Sequence, residues 1–182
     1  MNPAAPDDPA DPNDPAAPNH RAALGDPLDM SGRTVIVTGG TKGLGRVIAV
    51  RFLERGADVV ICARNAPDEP VTAGGRTARF VAADVRDPDQ VAAVVTAALD
   101  ATGRLDVLVN NAGGAPPADT ATVSPRFNEK IVGLNLLAPL LFAQAVHGPM
   151  SAQDDGGVII NIASVSGTRA NPQGAAYGAA KA

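Results

Sequence analysis

The sequence predicts an α/β fold: a parallel sheet wound by helices on both faces, in three α/β/α layers. Three observations predict it. Short, β-branched apolar runs recur from residue 34 onward: TVIVT (34–38), DVVIC (58–62), ARFVAAD (78–84), LDVLVN (105–110) and GVIINIA (157–163). Most of them are separated by stretches with helical apolar spacing, so one strand leads through a crossover to the next, parallel one. The runs are continuously apolar rather than alternating, as burial on both faces requires.

The elements follow in order. Residues 1–28 hold seven prolines and many aspartates but little that could build a core, and predict a disordered, solvated tail ahead of one domain at 29–182. The aspartates lack the glycine and closing glutamate of a calcium loop, so no metal site is expected. GLGRVIAVRFLERG (43–56) reads as a helix stopped by Gly56. NAPDEPVTAGG (65–75), with two prolines and a glycine pair, reads as loop. Residues 87–103 read as a helix with Asp87 as N-cap, Pro88 at its first position and Gly103 as its stop. GGAPPADTATV (113–123) is a loop, and a long helix runs from Ser124 and Pro125 to about His147. Its apolar tract, 131–146, is expected to be too short and interrupted to span a bilayer.

Composition narrows function. The chain has 182 residues, a net charge of −4, a pI of about 5.0 and 3% aromatic residues, so it offers no basic stripe for nucleic acid. Its one cysteine, Cys62, excludes an internal disulfide and a cysteine-cluster metal site, and fits a buried apolar role. The opening residues have neither a basic nor an apolar segment of a secretory signal, and a cytoplasmic location without membrane association is expected. His20 and His147 accompany no nucleophile, so no triad is assigned.

The loop VTGGTKGLG joins the first strand to the first helix. Gly39, Gly43 and Gly45 remove side chains where backbone must approach a ligand, and the helix aims its free N–H groups at the same place, which suits a pyrophosphate. The spacing is TGxxxGxG. With NNAG (110–113), NIAS (161–164) and YGAAK (177–181) it resembles the short-chain dehydrogenase/reductase family of the classical type, over residues 33–182. The intervals agree as well, Ser164 preceding Tyr177 by thirteen residues.

The resemblance implies a Rossmann-like nicotinamide-binding domain. Gly39, Thr41, Lys42, Gly43, Leu44 and Gly45 would hold the phosphates, Asp84 and Val85 the adenine, and Asn111, Ala112 and Gly113 the adenosine ribose. No acid stands at the tip of the second strand, ICARN, where an NAD-binding domain places one. Arg64 is there, with Lys42 in the glycine loop, and a guanidinium can fork onto a 2′-phosphate. NADP(H) is therefore favoured. Asp68 and Glu69 follow Arg64 closely enough to neutralise it, which leaves NAD(H) open.

Tyr177 and Lys181 stand four apart, on one helix face. A phenol titrates at about 10, so one that cycles protons near neutrality needs a cation beside it. The resemblance implies that Tyr177 is the general acid/base, that Lys181 tunes it and binds the nicotinamide ribose, that Ser164 orients the substrate oxygen, and that Asn135 completes a proton relay. Pro139 has no N–H and so cannot close a helical bond to the Asn135 carbonyl. The implied reaction reduces a ketone or oxidises a secondary alcohol: a 3-oxoacyl, steroid-like or sugar-derived carbonyl.

Relatives in this family continue past the tyrosine helix with further strands. The chain is thus expected to be C-terminally incomplete, with a terminal carboxylate competing for Lys181 and an exposed fifth strand. The long helix is apolar around most of its circumference and implies a homo-oligomer of the complete protein. Two rival readings are an inactive dinucleotide-binding fragment and an epimerase or dehydratase, which usually shows TGxxGxxG instead.

Overall fold

The computed structural model describes residues 26–170 and 172–182. Most of the expected tail, with His20, lies outside the described residues. Asp26 pairs with Arg55 at 3.3 Å, and its backbone carbonyl accepts the Asp29 N–H.

The strands are β1 (Thr34–Thr38), β2 (Asp58–Ala63), β3 (Thr72–Ala73), β4 (Arg76–Thr77), β5 (Arg79–Ala82), β6 (Val107–Asn110) and β7 (Val158–Asn161). The α-helices are α1 (Gly43–Glu54), α2 (Pro88–Thr102), α3 (Pro125–Val132), α4 (Ala138–Ser151) and α5 (Ala175–Lys181). Five strands form one parallel sheet in the order β5-β2-β1-β6-β7. The chain moves outward from β1 in one direction and returns to continue in the other. The switch point lies between β1 and β6, where open α/β sheets bind ligands beyond the strands' carboxyl ends.

Alternate residues of β1, β2 and β6 feed opposite cores. Ile36, Val60 and Leu108 face α2 and α4, meeting Val94, Phe142 and Val146. Val35, Val37, Ile61 and Val109 face the other side, meeting Ala49 and Leu53 of α1. This is the doubly wound, Rossmann-like arrangement that the continuous apolar runs predict. Asp87 caps α2 by accepting from the Asp89 and Gln90 N–H groups, and Ser124 caps α3 through the Phe127 N–H.

Three expectations need correction. The 65–75 loop carries half of a small antiparallel hairpin, β3–β4, turned by Gly74 and Gly75 at positive φ. Strands of two residues leave no periodicity to read. The long helix is not one α-helix: Gly133–Leu137 is π-helical, and the Ala138 N–H reaches back five residues to the Gly133 carbonyl. Pro139 offers no donor, and Asn135 Nδ2 binds the Ile131 carbonyl at 2.9 Å, so the regular ladder slips at this turn. Nor is the helical stretch too short for a membrane: Pro125–Ser151 is long and apolar enough to cross one by length and composition. It nevertheless buries Ile131, Ala138, Phe142, Val146 and Met150. Leu136, Leu137 and Leu140 stay about half exposed, as do Val158, Ile159 and Ile160 of β7.

At the amino ends of the strands, Asp106 is 5% exposed and ties three segments together. It accepts from Arg33 at 2.8 Å, Arg104 at 2.5 Å and the Thr34 N–H at 2.7 Å, while Asp155 pairs with Arg33 from the loop before β7. Burial alone would raise the Asp106 carboxyl, but the two guanidinium bonds and the Thr34 N–H outweigh it and hold it at about 2. A depressed carboxyl stabilises the fold above its unfolded value and stops doing so as pH falls through its folded value. Asp106→Asn should therefore lower urea-unfolding stability near neutrality by about 2–3 kcal/mol. The gap between the two proteins should shrink as pH falls from about 4 towards 2.

Candidate active site

The site grows from a knot at the switch point. Thr38 ends β1, and its hydroxyl accepts the N–H groups of Asn111 at 3.0 Å and Ala112 at 2.9 Å. Asn111 Nδ2 donates back to the Thr38 carbonyl at 2.8 Å. The glycine loop crosses this knot closely: a Cβ on Gly45 would lie 2.3 Å from the Gly39 carbonyl oxygen and 2.4 Å from Asn111 Nδ2. Gly43, at φ +55, meets nothing within 4 Å, so a side chain there would enter the open space above. Lys42 precedes α1 without a side-chain cap, whereas Asp87 and Ser124 cap α2 and α3. The first N–H groups of α1 thus keep their capacity for an anion.

A cavity of about 440 Å³ opens here. Its walls are Gly39, Lys42, Gly43, Leu44 and Gly45 from the first loop and Arg64 after β2. Asp84 and Val85 follow β5, and Asn111, Ala112 and Gly113 follow β6. Every cofactor candidate named from sequence lines it except Thr41, Tyr177 and Lys181. Cys62, Arg86 and Leu134 also line it and were missed. Arg86 carried one sequence signal, a cation two residues after Asp84. Burial pushes the Cys62 thiol up to about 12, which keeps it an inert apolar wall. Arg64 makes no hydrogen bond or ion pair among the described residues. Asp68 and Glu69 do not neutralise it; Arg46 instead binds the backbone carbonyls of Glu69 and Pro70. Among the described residues no cluster of metal ligands occurs.

Gly113 joins this cavity to the remaining candidates. A Cβ there would lie 2.7 Å from Asn135 Oδ1 and 3.4 Å from Lys181 Nζ. Asn135 is buried; its Oδ1 accepts the Gly114 N–H at 2.8 Å and its Nδ2 donates to the Gly114 carbonyl at 3.0 Å, clamping the loop after β6. Lys181 Nζ donates to the Ile162 carbonyl at 2.7 Å, just beyond β7, and burial lowers its pKa. The expected competition from the terminal carboxylate is not seen, because the ammonium reaches back to the sheet instead. Ser164 Oγ accepts the Ser166 N–H at 3.2 Å, so its own proton is free to be donated. Tyr177 borders a cleft of about 160 Å³ with Ala115, Pro116, Pro117, Gln173 and Gly174.

The loop bearing Ser164 and the helix bearing Tyr177 and Lys181 touch through glycines. A Cβ on Gly178 would lie 2.7 Å from the Ser166 carbonyl oxygen, and one on Gly167 would lie 2.2 Å from that of Lys181. Sequence spacing gave no sign of this joint.

The fold and the site together define a doubly wound α/β domain with a glycine-rich loop after its first strand, a serine just past β7, an asparagine in the π-helical turn and a tyrosine and a lysine on α5. Residues 33–182 match the family model described as short chain dehydrogenase, and the chain belongs to the short-chain dehydrogenase/reductase family. It is 35% identical over 162 residues to an uncharacterized oxidoreductase of Mycobacterium tuberculosis, covering 86% of this chain and 62% of that protein. It is 34% identical over 155 residues to a sorbitol dehydrogenase of Cereibacter sphaeroides, covering 84% and 60%. A solved structure described as a short-chain alcohol dehydrogenase of Sinorhizobium meliloti superposes with a TM-score of 0.77 at 36% identity, covering 85% and 63%. The chain thus spans about three fifths of the length of these relatives.

Two glycine substitutions should differ in sign. Gly148 of α4 meets nothing within 4 Å, so Gly148→Ala should stabilise the protein in urea unfolding by about 0.5–1 kcal/mol. Gly178→Ala has the same helix-propensity gain but must displace backbone, and should destabilise by about 1–3 kcal/mol.

Proposed function

We propose that this domain binds NADP(H), with NAD(H) as the weaker alternative, and interconverts a ketone and a secondary alcohol. The observation that carries the reading is that Gly113 makes a shared wall: the cation-lined cavity lies on one side and Asn135 and Lys181 on the other. The relatives described as sorbitol dehydrogenase and, from Azotobacter vinelandii, as L-rhamnose 1-dehydrogenase (NAD(P)(+)) support an alcohol or sugar-derived substrate class.

The residues fit the dinucleotide. The uncapped N–H groups of α1 would take the pyrophosphate, Arg64 and Lys42 the 2′-phosphate, Asp84 and Val85 the adenine, and Asn111 to Gly113 the ribose. When bound, the dinucleotide supplies or accepts the hydride. The chain's own residues manage the proton and the geometry. Tyr177 would donate a proton to the carbonyl oxygen, or take one from the alcohol, as general acid/base. Lys181 keeps two N–H groups after its bond to Ile162, enough for the phenol and a ribose hydroxyl. Ser164 would donate to the substrate oxygen, since its acceptor side is already held by Ser166. Asn135 holds the Gly114 backbone from both sides and would place its own turn in the proton relay. The half-exposed Leu136, Leu137 and Leu140 support pairing of two copies through this helix.

The test is turnover of NADPH with a ketone panel. Tyr177→Phe should lower kcat by about 10²–10⁴-fold, with the Kd for NADPH changed by less than about three-fold, since only one hydroxyl is removed. Equal turnover in the two proteins would overturn the reading. A second reading is dinucleotide binding without turnover; wild-type binding of NADPH with no turnover on any ketone would favour it.

A further inference from the structure

The cavity has one acid among its described wall residues, Asp84, and three cations: Lys42, Arg64 and Arg86. Arg86 takes that acid entirely. Asp84 Oδ1 accepts from Arg86 Nε at 2.9 Å and from the Arg86 backbone N–H at 3.0 Å, and Oδ2 accepts from Arg86 Nη2 at 2.5 Å. The Arg86 stem also lies against the start of the π-helical turn, its Cδ 3.9 Å from where a Gly133 Cβ would be. Arg64 has no partner among the described residues, yet it helps to hold the Asp84 carboxyl down at about 2, after the larger effect of the Arg86 bonds. Asp84 and Arg64 line the same cavity.

Two cations thus compete for one carboxylate, and the one that does not win it stays free. A bidentate guanidinium bond from a neighbour two residues away is the stronger claim. If Arg86 lost its fork, Asp84 would turn its charge on Arg64. A 2′-phosphate would then have to displace that pair and sit beside an unneutralised carboxylate, a double cost that a dinucleotide without the phosphate does not meet.

We propose that Arg86 is a specificity-determining residue: by holding Asp84 in a closed pair it keeps Arg64 available to the 2′-phosphate of NADP(H). The inference rests on the NADP(H) reading given above. It assigns Arg86 a positioning role, acting on Arg64 through Asp84.

Equilibrium binding of NADPH and NADH to the 182-residue chain, read by reduced-nicotinamide fluorescence, tests it without turnover. Arg86→Gln should raise the Kd for NADPH by about ten-fold and that for NADH by less than about three-fold. Affinity for NADH doubles as the control that the variant is folded. Arg86→Lys keeps the charge without the fork and should fall between. Adding Asp84→Asn to Arg86→Gln removes the freed carboxylate and should restore the NADPH-over-NADH ratio to that of Asp84→Asn alone. A wild-type preference for NADPH that Arg86→Gln leaves unchanged would overturn this inference and spare the NADP(H) reading. So would a lost preference that the double variant fails to restore. A wild-type chain that binds NADH as tightly as NADPH, or binds neither, would overturn both.

Discussion

The structure depends on how closely the glycine loop can approach the end of β6. Thr38, Gly39 and Asn111 are bonded across the switch point, and Gly45 sits where any side chain would strike the backbone of Gly39 and the amide of Asn111. Because that crossing is tight, the first turn of α1 lies over the carboxyl ends of two adjacent strands instead of standing off from them. The cavity, its N–H donors and its floor are consequences of one steric allowance. Asn111 serves the knot with its side chain and the cavity wall with its body, so fold and site share a residue.

The two ends of the sheet are electrostatic opposites. At the amino ends, Arg33, Arg104, Asp106 and Asp155 close on one another, and the charges are spent on holding β1, β6 and the loop before β7 in register. At the carboxyl ends, Lys42 and Arg64 are left unpaired among the described residues, and only Asp84 is neutralised, by Arg86. A protein that could have paired its carboxyl-end cations with Asp68 or Glu69 does not do so. Open cations cost little on a wet surface and gain most when a phosphate arrives, which is the behaviour expected of a binding mouth rather than a stabilising clasp.

Much of this was legible in the sequence, for physical reasons that differ by element. The five sheet strands are continuous apolar runs, and α2 announces itself by Asp87, Pro88 and Gly103. The glycine loop and the Tyr177–Lys181 spacing are local patterns, and local geometry preserves them. Other features arise only from contact between distant segments. The clamp of the Asn135 side chain on Gly114 joins residues twenty-one apart. The destination of the Lys181 ammonium is the Ile162 carbonyl, nineteen residues away, and no spacing rule points there. Arg86 was visible as a charge beside Asp84, but a turn and a fork were needed to make it matter. Gly178 lies within YGAAK, and its close approach to the Ser166 carbonyl oxygen arises only in the fold.

The chain has one tyrosine and no tryptophan, so emission excited beyond the phenylalanine band comes from Tyr177 alone. That allows a direct test of whether the cation-lined cavity and the phenol belong to one continuous site. NADPH is added stepwise to the 182-residue chain while tyrosine emission and reduced-nicotinamide emission are followed together. The account predicts a saturable fall in tyrosine emission that tracks the nicotinamide signal, as energy passes from Tyr177 to the ring beside it. Binding seen in the nicotinamide signal with tyrosine emission unchanged would contradict it.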